Sequence, residues 1–334
     1  MRITRDLLLN TAKDTIQRLI FEGHDLVCAY LTGSLIDDQP LLGGMTDIDL
    51  VYVHSLDVPC HREIVTLTDE IHLDIAHLPQ SYFSQPRKLR TDAWVGAFLC
   101  HGPLVLYDSQ HWFEYTQAGV YAHFFQPSNV IERVKSFSER ARSGWMALKN
   151  RDGDFTPVTL LEYLKVLKDA ANAISSLSSV PLTERRFMVD FAARTFKLQK
   201  PGLTAGFLDL ILAEEPVEPN WDTWLENWRA SHALLLAQPE VPVGLSHGRL
   251  PYYESAILEL QSIQQEAALW ILLFTWTKIS SLLPQNAPEL SAFVNFSAML
   301  GLNGSRFAER LALLDTYLDT LEEIIDDWSF QNGL

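Results

Sequence analysis

Cationic side chains are scarce in this 334-residue chain, with 26 lysines and arginines against 42 aspartates and glutamates and a formal net charge of −16. Proteins that hold nucleic acid through its phosphates carry basic patches, and the sequence shows no such patch. The charge therefore argues against nucleic acid as a partner. It is compatible with a small cationic molecule.

Cysteine and long apolar runs are also scarce. The three cysteines, Cys28, Cys60 and Cys100, are far apart and show no zinc-binding spacing, which predicts reduced thiols in a cytoplasm. The longest apolar stretch, residues 267–276, is about half of what a membrane span needs. The N-terminal leucines are followed by charged residues, so they lack the apolar core of a signal peptide. We expect a cytoplasmic protein with no membrane partner.

Several common catalytic frameworks are missing from the sequence. It contains no GxxxxGK[ST] phosphate loop, no GxGxxG after a strand, no GxSxG elbow and no HExxH. Hydrophobic residues make up 47% of the chain, which is enough to build a core. The length favours two domains or one large one. Because the common motifs are absent, any chemistry must come from a less common pattern.

One stretch, residues 31–53, carries such a pattern. Gly33 and Ser34 follow the apolar run at residues 26–31, and a turn of this kind offers backbone N–H groups and a hydroxyl to a phosphate. Asp47 and Asp49 open the next apolar run, and residues two apart in a strand point to the same face. Paired carboxylates are hard oxygen ligands that suit Mg²⁺. A phosphate cradle beside a divalent-metal site is equipment for phosphoryl or nucleotidyl transfer.

A third carboxylate follows in a segment that alternates as a strand does. In residues 71–78, Asp74 falls on the face of His72 and Ala76. The ordered set Gly33, Ser34, Asp47, Asp49 and Asp74 resembles the nucleotidyltransferase superfamily typified by DNA polymerase beta. The resemblance covers roughly the first 110 residues. The 12 residues between Ser34 and Asp47, which include Asp37, Asp38 and Pro40, form a longer loop than many members carry.

The resemblance implies a fold, an activity and roles for the five residues. Asp47 and Asp49 would bind Mg²⁺, and Asp74 would complete a two-metal site or take a proton from the acceptor. Gly33 and Ser34 would hold the triphosphate of a nucleotide, ATP being the most frequent in the family. The activity implied is transfer of a nucleoside monophosphate to a hydroxyl of a small-molecule acceptor, such as an aminoglycoside-like one, with release of pyrophosphate.

The pattern along the chain predicts an α/β domain over residues 1–112 and an all-α domain over residues 113–334. In the first, Thr4 caps a helix that runs to about Glu22. Residues 63–68 and 71–78 read as a hairpin joined through Asp69 and Glu70, with a short helix at 60–68 as the competing interpretation. The remaining predictions are a helix at 92–100 and a strand at 104–107, followed in the second domain by helices at 129–149, 158–177, 183–197, 204–213, 221–236, 252–283, 287–300 and 305–328.

Each functional interpretation has a plainer alternative. Single acids at strand ends are ordinary turn residues, Gly33 is a common turn glycine, and Ser34 is a common helix cap. The basic cluster at 87–90 reads as a surface loop. The charged face at Glu162, Lys165 and Asp169 reads as solvated ion pairing, and the tryptophans and Phe274 of the helical half as core. For the whole chain the alternative is a non-catalytic, antitoxin-like interaction protein built on the same fold.

Overall fold

The computed structural model describes residues 3–23, 25–36, 41–58, 60–152, 154–213 and 218–334. The chain divides into two compact units, Met1–Val130 and Ile131–Leu334. The first contains a five-stranded sheet with flanking helices, and the second is helical throughout its described secondary structure. The predicted α/β architecture followed by an all-α region is confirmed. The loop residues Asp37, Asp38 and Pro40 lie outside the described residues.

The sheet is mixed. Its strands are β1 (Cys28–Thr32), β2 (Thr46–His54), β3 (Arg62–Thr66), β4 (Ile71–Pro79) and β5 (Leu104–Asp108), in the spatial order β3-β4-β2-β1-β5. Strands β2 and β4 are parallel, and every other neighbouring pair is antiparallel. The predicted hairpin through Asp69 and Glu70 is confirmed as β3 and β4, and the competing helix at 60–68 is wrong. The strand predicted at 104–107 is confirmed as β5.

One face of the sheet packs against the first helix, α1 (Arg5–Phe21). The backbone N–H of Leu7 donates to the side chain of Thr4 at 3.3 Å, so the predicted cap is confirmed. Alternate strand positions meet the helix because a strand repeats every two residues. The shared core contains Leu8, Ala12 and Ile16 of the helix and Ala29, Leu31, Ile48, Leu50, Tyr52, Leu73 and Ile75 of the strands.

Three further helices complete the first unit: α2 (Pro86–Arg90), α3 (Val95–Cys100) and α4 (Trp112–Phe124). On the sheet face turned away from α1, the Tyr30 ring lies 5.1 Å from the ring of Phe113 in α4. The helix predicted at 92–100 begins later, because the Asp92 carboxylate accepts hydrogen bonds from the backbone N–H groups of Trp94 and Gly96. The basic cluster at 87–90 belongs to α2 rather than to a loop.

The remaining helices follow the predicted spacing with one exception. They are α5 (Pro127–Lys149), α6 (Pro157–Ser175), α7 (Phe187–Lys197), α8 (Gly202–Ile211), α9 (Trp221–Leu236), α10 (Arg249–Leu260), α11 (Gln265–Leu282), α12 (Leu290–Met299) and α13 (Gly304–Gln331). The single helix predicted at 252–283 is wrong, since the chain turns between α10 and α11. Trp228, Trp270 and Trp276 are almost fully buried, so the interpretation of the aromatics as core is confirmed for them.

Ion pairs account for the charged face predicted on α6. Glu162 contacts Arg151 at 2.5 Å, and Asp169 contacts Arg140 at 3.2 Å. These partners come from neighbouring segments rather than from Lys165 on the same helix. None of the helices among the described residues combines the length and the apolar character that crossing a bilayer requires.

Candidate active site

A tight turn at the end of β1 forms the first part of the candidate site. Residues Gly33–Leu35 make one 3₁₀ turn, and Gly33 has a φ of 74°. A Cβ placed on Gly33 would lie 1.9 Å from Oδ2 of Asp49, so the turn backbone packs directly on that carboxylate. Only glycine meets both conditions, since other residues rarely adopt this φ and none could avoid the clash. Ser34 follows in the same turn with a half-buried side chain.

The three predicted carboxylates lie on one face of the sheet. The register pairs Thr32 with Asp49 across β1 and β2, and Asp49 with Asp74 across the parallel strands β2 and β4. Asp47 lies two residues before Asp49 and therefore on the same face. Because Ile48 between them is buried against α1, the carboxylates point away from that core. The structure thus places Asp49 beside Asp74 on the neighbouring strand, with the Gly33 turn packed on Asp49 and with Asp47 two residues earlier on β2.

Asp47 is deeply buried and has an imidazole beside it. Its Oδ1 lies 3.5 Å from Nδ1 of His72, its register partner on β4, and both side chains are less than 5% exposed. A charged carboxylate in such surroundings is costly unless nearby groups stabilise it. The His72 ring is a candidate for that role. The alternation of residues 71–78 already placed His72 on this face.

Asp74 is engaged by an arginine. Nε and Nη2 of Arg62 donate to its two carboxylate oxygens at 2.8 and 2.6 Å, a bidentate pair at the edge of the sheet. Arg62 lies on β3 opposite Ala76, diagonally across from Asp74. Arg62 is not among the site residues predicted from the sequence. The register of the hairpin, which the sequence alone does not fix, places residue 62 on the face of residues 74 and 76.

The donor chemistry of this face fits a hard cation, since Asp47, Asp49 and Asp74 all offer carboxylate oxygens. No set of three or more metal-ligating side chains is gathered around one point among the described residues. Beside Asp74, the guanidinium of Arg62 supplies the positive charge that a metal ion would supply. Direct metal binding by Asp74 would therefore require Arg62 to move.

Of the other basic residues noted in the sequence, Arg90 has a structural role. Arg90 of α2 donates from Nη2 to the carbonyl of Gly119 in α4 at 2.7 Å, which ties these two helices together. Arg87 and Lys88 lie on the exposed side of the same short helix. Nothing in these contacts points to a phosphate.

Comparison with known proteins does not identify a family for this chain. No family model matches the sequence, and no curated protein matches it. Among solved structures, a nucleotidyltransferase-like protein from Exiguobacterium sibiricum 255-15 is similar over 94% of this chain and 91% of its own, with 11% sequence identity and a TM-score of 0.32.

Proposed function

We propose that this protein is a Mg²⁺-dependent nucleotidyltransferase whose site is the carboxylate face of β2 and β4. The observation that supports the proposal most directly is the packing of the Gly33 turn on Asp49, beside Asp47 on the same strand and Asp74 on the next. A turn that approaches a carboxylate so closely puts phosphate-binding backbone and metal-binding oxygen next to each other. This is the juxtaposition that nucleotidyl transfer needs.

In this proposal Asp47 and Asp49 hold the metal, which when bound neutralises charge on the nucleotide phosphates, and Asp74 either completes a two-metal site or serves as the base. Gly33 and Ser34 bind the triphosphate and orient its α-phosphate towards the acceptor. A hydroxyl oxygen of the acceptor forms a bond to the α-phosphorus while the bond to the pyrophosphate oxygen breaks. The hydroxyl proton passes to a base, and Asp74 can serve as that base once it separates from Arg62.

The nucleotide is ATP and the acceptor a small molecule in this proposal. An acidic chain of net charge −16 repels nucleic acid and attracts a cationic acceptor such as an aminoglycoside. The same charge is shared by many proteins that bind no cation, so the acceptor must be found by experiment.

The test incubates the protein with labelled ATP, Mg²⁺ and a panel of hydroxyl-bearing acceptors that includes aminoglycosides. We expect label to enter one acceptor, and Asp47→Asn or Asp49→Asn to lower the rate at least about a hundredfold, since each removes a ligand of the Mg²⁺ whose positive charge would stabilise the transition state by several kcal/mol. Asp69→Asn, at the exposed hairpin turn, is the matched control and should leave the rate unchanged. Absence of both nucleotide binding and transfer would contradict the proposal.

The Arg62–Asp74 pair favours a second candidate, a non-catalytic interaction protein on the same fold. In that case the ion pair is permanent and the face binds no nucleotide. A thermal-shift experiment with ATP and Mg²⁺ on the wild type and on Arg62→Gln separates the two candidates, because a ligand that binds only the folded state stabilises it. A transferase should be stabilised by the ligands with or without Arg62. An interaction protein should show no shift in either form.

A further inference from the structure

The helical unit contains a groove between α8 and α13 that no part of the proposed reaction uses. Its volume is about 620 Å³, within the range of small-molecule sites. The groove is lined by apolar side chains that include Leu203 and Leu210 of α8 and Tyr317 and Ile324 of α13. A cavity of this size and lining suits an organic molecule better than a single ion.

The walls of this α8–α13 groove are fixed to each other. The hydroxyl of Tyr317 donates to the carbonyl of Leu203 at 3.0 Å, near the start of α8. At the other end of α8, the buried guanidinium of Arg310 donates to the carbonyls of Asp209 and Leu212. Gly206 between them permits the close approach, because a Cβ there would lie 3.1 Å from the Tyr317 ring. The groove is therefore formed before any ligand arrives, which lowers the cost of binding.

Acidic residues outnumber basic ones around the groove. Asp209 of α8 and Glu323 and Asp327 of α13 line it, against one cation, Lys200. All three carboxylate residues are exposed, and none of them forms an ion pair with another described residue. By contrast, Asp315, Asp319 and Glu322 on the same helix all contact Arg142 of α5. The carboxylates of the groove are thus available to a cationic ligand.

We propose that the α8–α13 groove binds a linear polyamine, with ammonium groups on its carboxylates and methylene segments on its apolar lining. Glu323 and Asp327 are four residues apart, which is about 6 Å along a helix. Ammonium groups joined by three or four methylenes are separated by roughly 5–6 Å, as bond lengths dictate. Charge-assisted hydrogen bonds to the carboxylates would set the position, and the apolar lining would favour an organic cation over a metal ion. This binding is independent of the proposed transferase activity.

Isothermal titration of the full-length protein with spermine tests the proposal. We expect saturable binding with one site in this groove, weakened at least about tenfold by Asp327→Asn, a tenfold change being about 1.4 kcal/mol. Asp326→Asn is the matched control, because Asp326 is an exposed neighbour on the same helix that does not line the groove. It should change the affinity by less than about twofold.

A second variant tests the cavity rather than the charge. Thr320 is exposed and lines the groove, so Thr320→Trp should fill it and abolish spermine binding while all carboxylates remain. A near-native circular dichroism spectrum shows that the variant is folded. Several outcomes would overturn the proposal: no binding of spermine, equal effects of the Asp326 and Asp327 variants, displacement of spermine by equimolar Mg²⁺, or undiminished binding to the Trp variant. Tighter binding of kanamycin than of spermine would also overturn it, in favour of a cyclic aminoglycoside.

Discussion

The two faces of the sheet in the first unit are made from the same strands and differ completely in chemistry. On β2, Ile48 and Leu50 are buried against α1, whereas Asp47 and Asp49, which alternate with them, point to the opposite side. On β4, Leu73 belongs to the core and Asp74 does not. The two-residue repeat of a strand thus places the residues that hold the fold and those that form the candidate site next to each other in sequence but on different faces.

Because of this alternation, neighbouring residues of one strand can be changed to test the packing of the sheet and the candidate site separately. A change on the α1 face removes packing, and its cost follows the volume lost. A change on the carboxylate face alters charge and leaves the core intact. The predictions below test this separation.

The largest effect on stability is expected from Ile48→Ala. Ile48 is fully buried, and truncation of such a side chain costs about 2–5 kcal/mol of unfolding free energy. Hydrogen exchange of the β2 amides measures the loss locally, which is preferable because a two-unit chain need not unfold in one step. Ile48→Val, which removes one methyl group, is the control and should cost about 0.5–1.5 kcal/mol. Equal exchange in both variants would show that the α1 face does not limit the stability of the sheet.

Gly33→Ala should have the next largest effect on stability. Of these variants, it alone should also disturb the carboxylate face. The substitution strains a backbone with a φ of 74°, at about 1 kcal/mol or more, and forces Asp49 away from the turn. The matched control is Gly102→Ala, which has a φ of 70° but no atom within 4 Å of the added Cβ. We expect comparable destabilisation from strain in both, and loss of ATP-dependent thermal stabilisation only in Gly33→Ala. Loss of that stabilisation in both variants would point to backbone strain alone.

Asp49→Asn should change stability little. The substitution keeps the shape of the side chain and removes its charge, so the exchange-derived free energy should shift by less than about 1 kcal/mol. Asp49→Asn and Ile48→Ala compare the two faces of β2 most directly, because the two positions are adjacent in the strand. A destabilisation of Asp49→Asn as large as that of Ile48→Ala would mean that the carboxylate is a structural element, and the separation of the faces would fail.

Much of this arrangement could be predicted from the sequence because it depends on local patterns. Alternation fixed the faces of Asp47, Asp49 and Asp74, and the hairpin followed from two short apolar runs. The bidentate bond between Arg62 and Asp74 could not be predicted, since it depends on the register between strands. One residue of slippage would turn Arg62 to the other face.

The errors in the predicted helices also have physical causes. Gln261, Ser262, Ile263 and Gln264, which separate α10 from α11, contain neither glycine nor proline, so no local signal marks the break. Helix α4 was missed because Gly119 and several aromatic and β-branched residues give it weak helical propensity. The burial of Phe113, Val120 and Phe124 on one side compensates, and this contribution comes from tertiary packing.

The smallest expected effect is a dependence of stability on pH. It arises near the C-terminal ends of β2 and β4, where His54 and His77 occupy strand positions on the face that packs against α1. Burial, together with the neighbouring His54, lowers the pKa of His77 below its usual value, against the opposing influence of Glu63. Nε2 of His54 lies 3.0 Å from Nδ1 of His77, and Nε2 of His77 lies 3.4 Å from Glu63.

Because the folded state binds this proton less tightly than the unfolded chain, stability rises with pH between the lowered pKa and about 6.5. Acidification through that window should therefore raise hydrogen exchange of β4, and His77→Gln should remove the part that this histidine contributes. His123→Gln, at an exposed position in α4, should leave the profile unchanged. An unchanged profile in His77→Gln would show that this histidine does not set the acid sensitivity of the sheet.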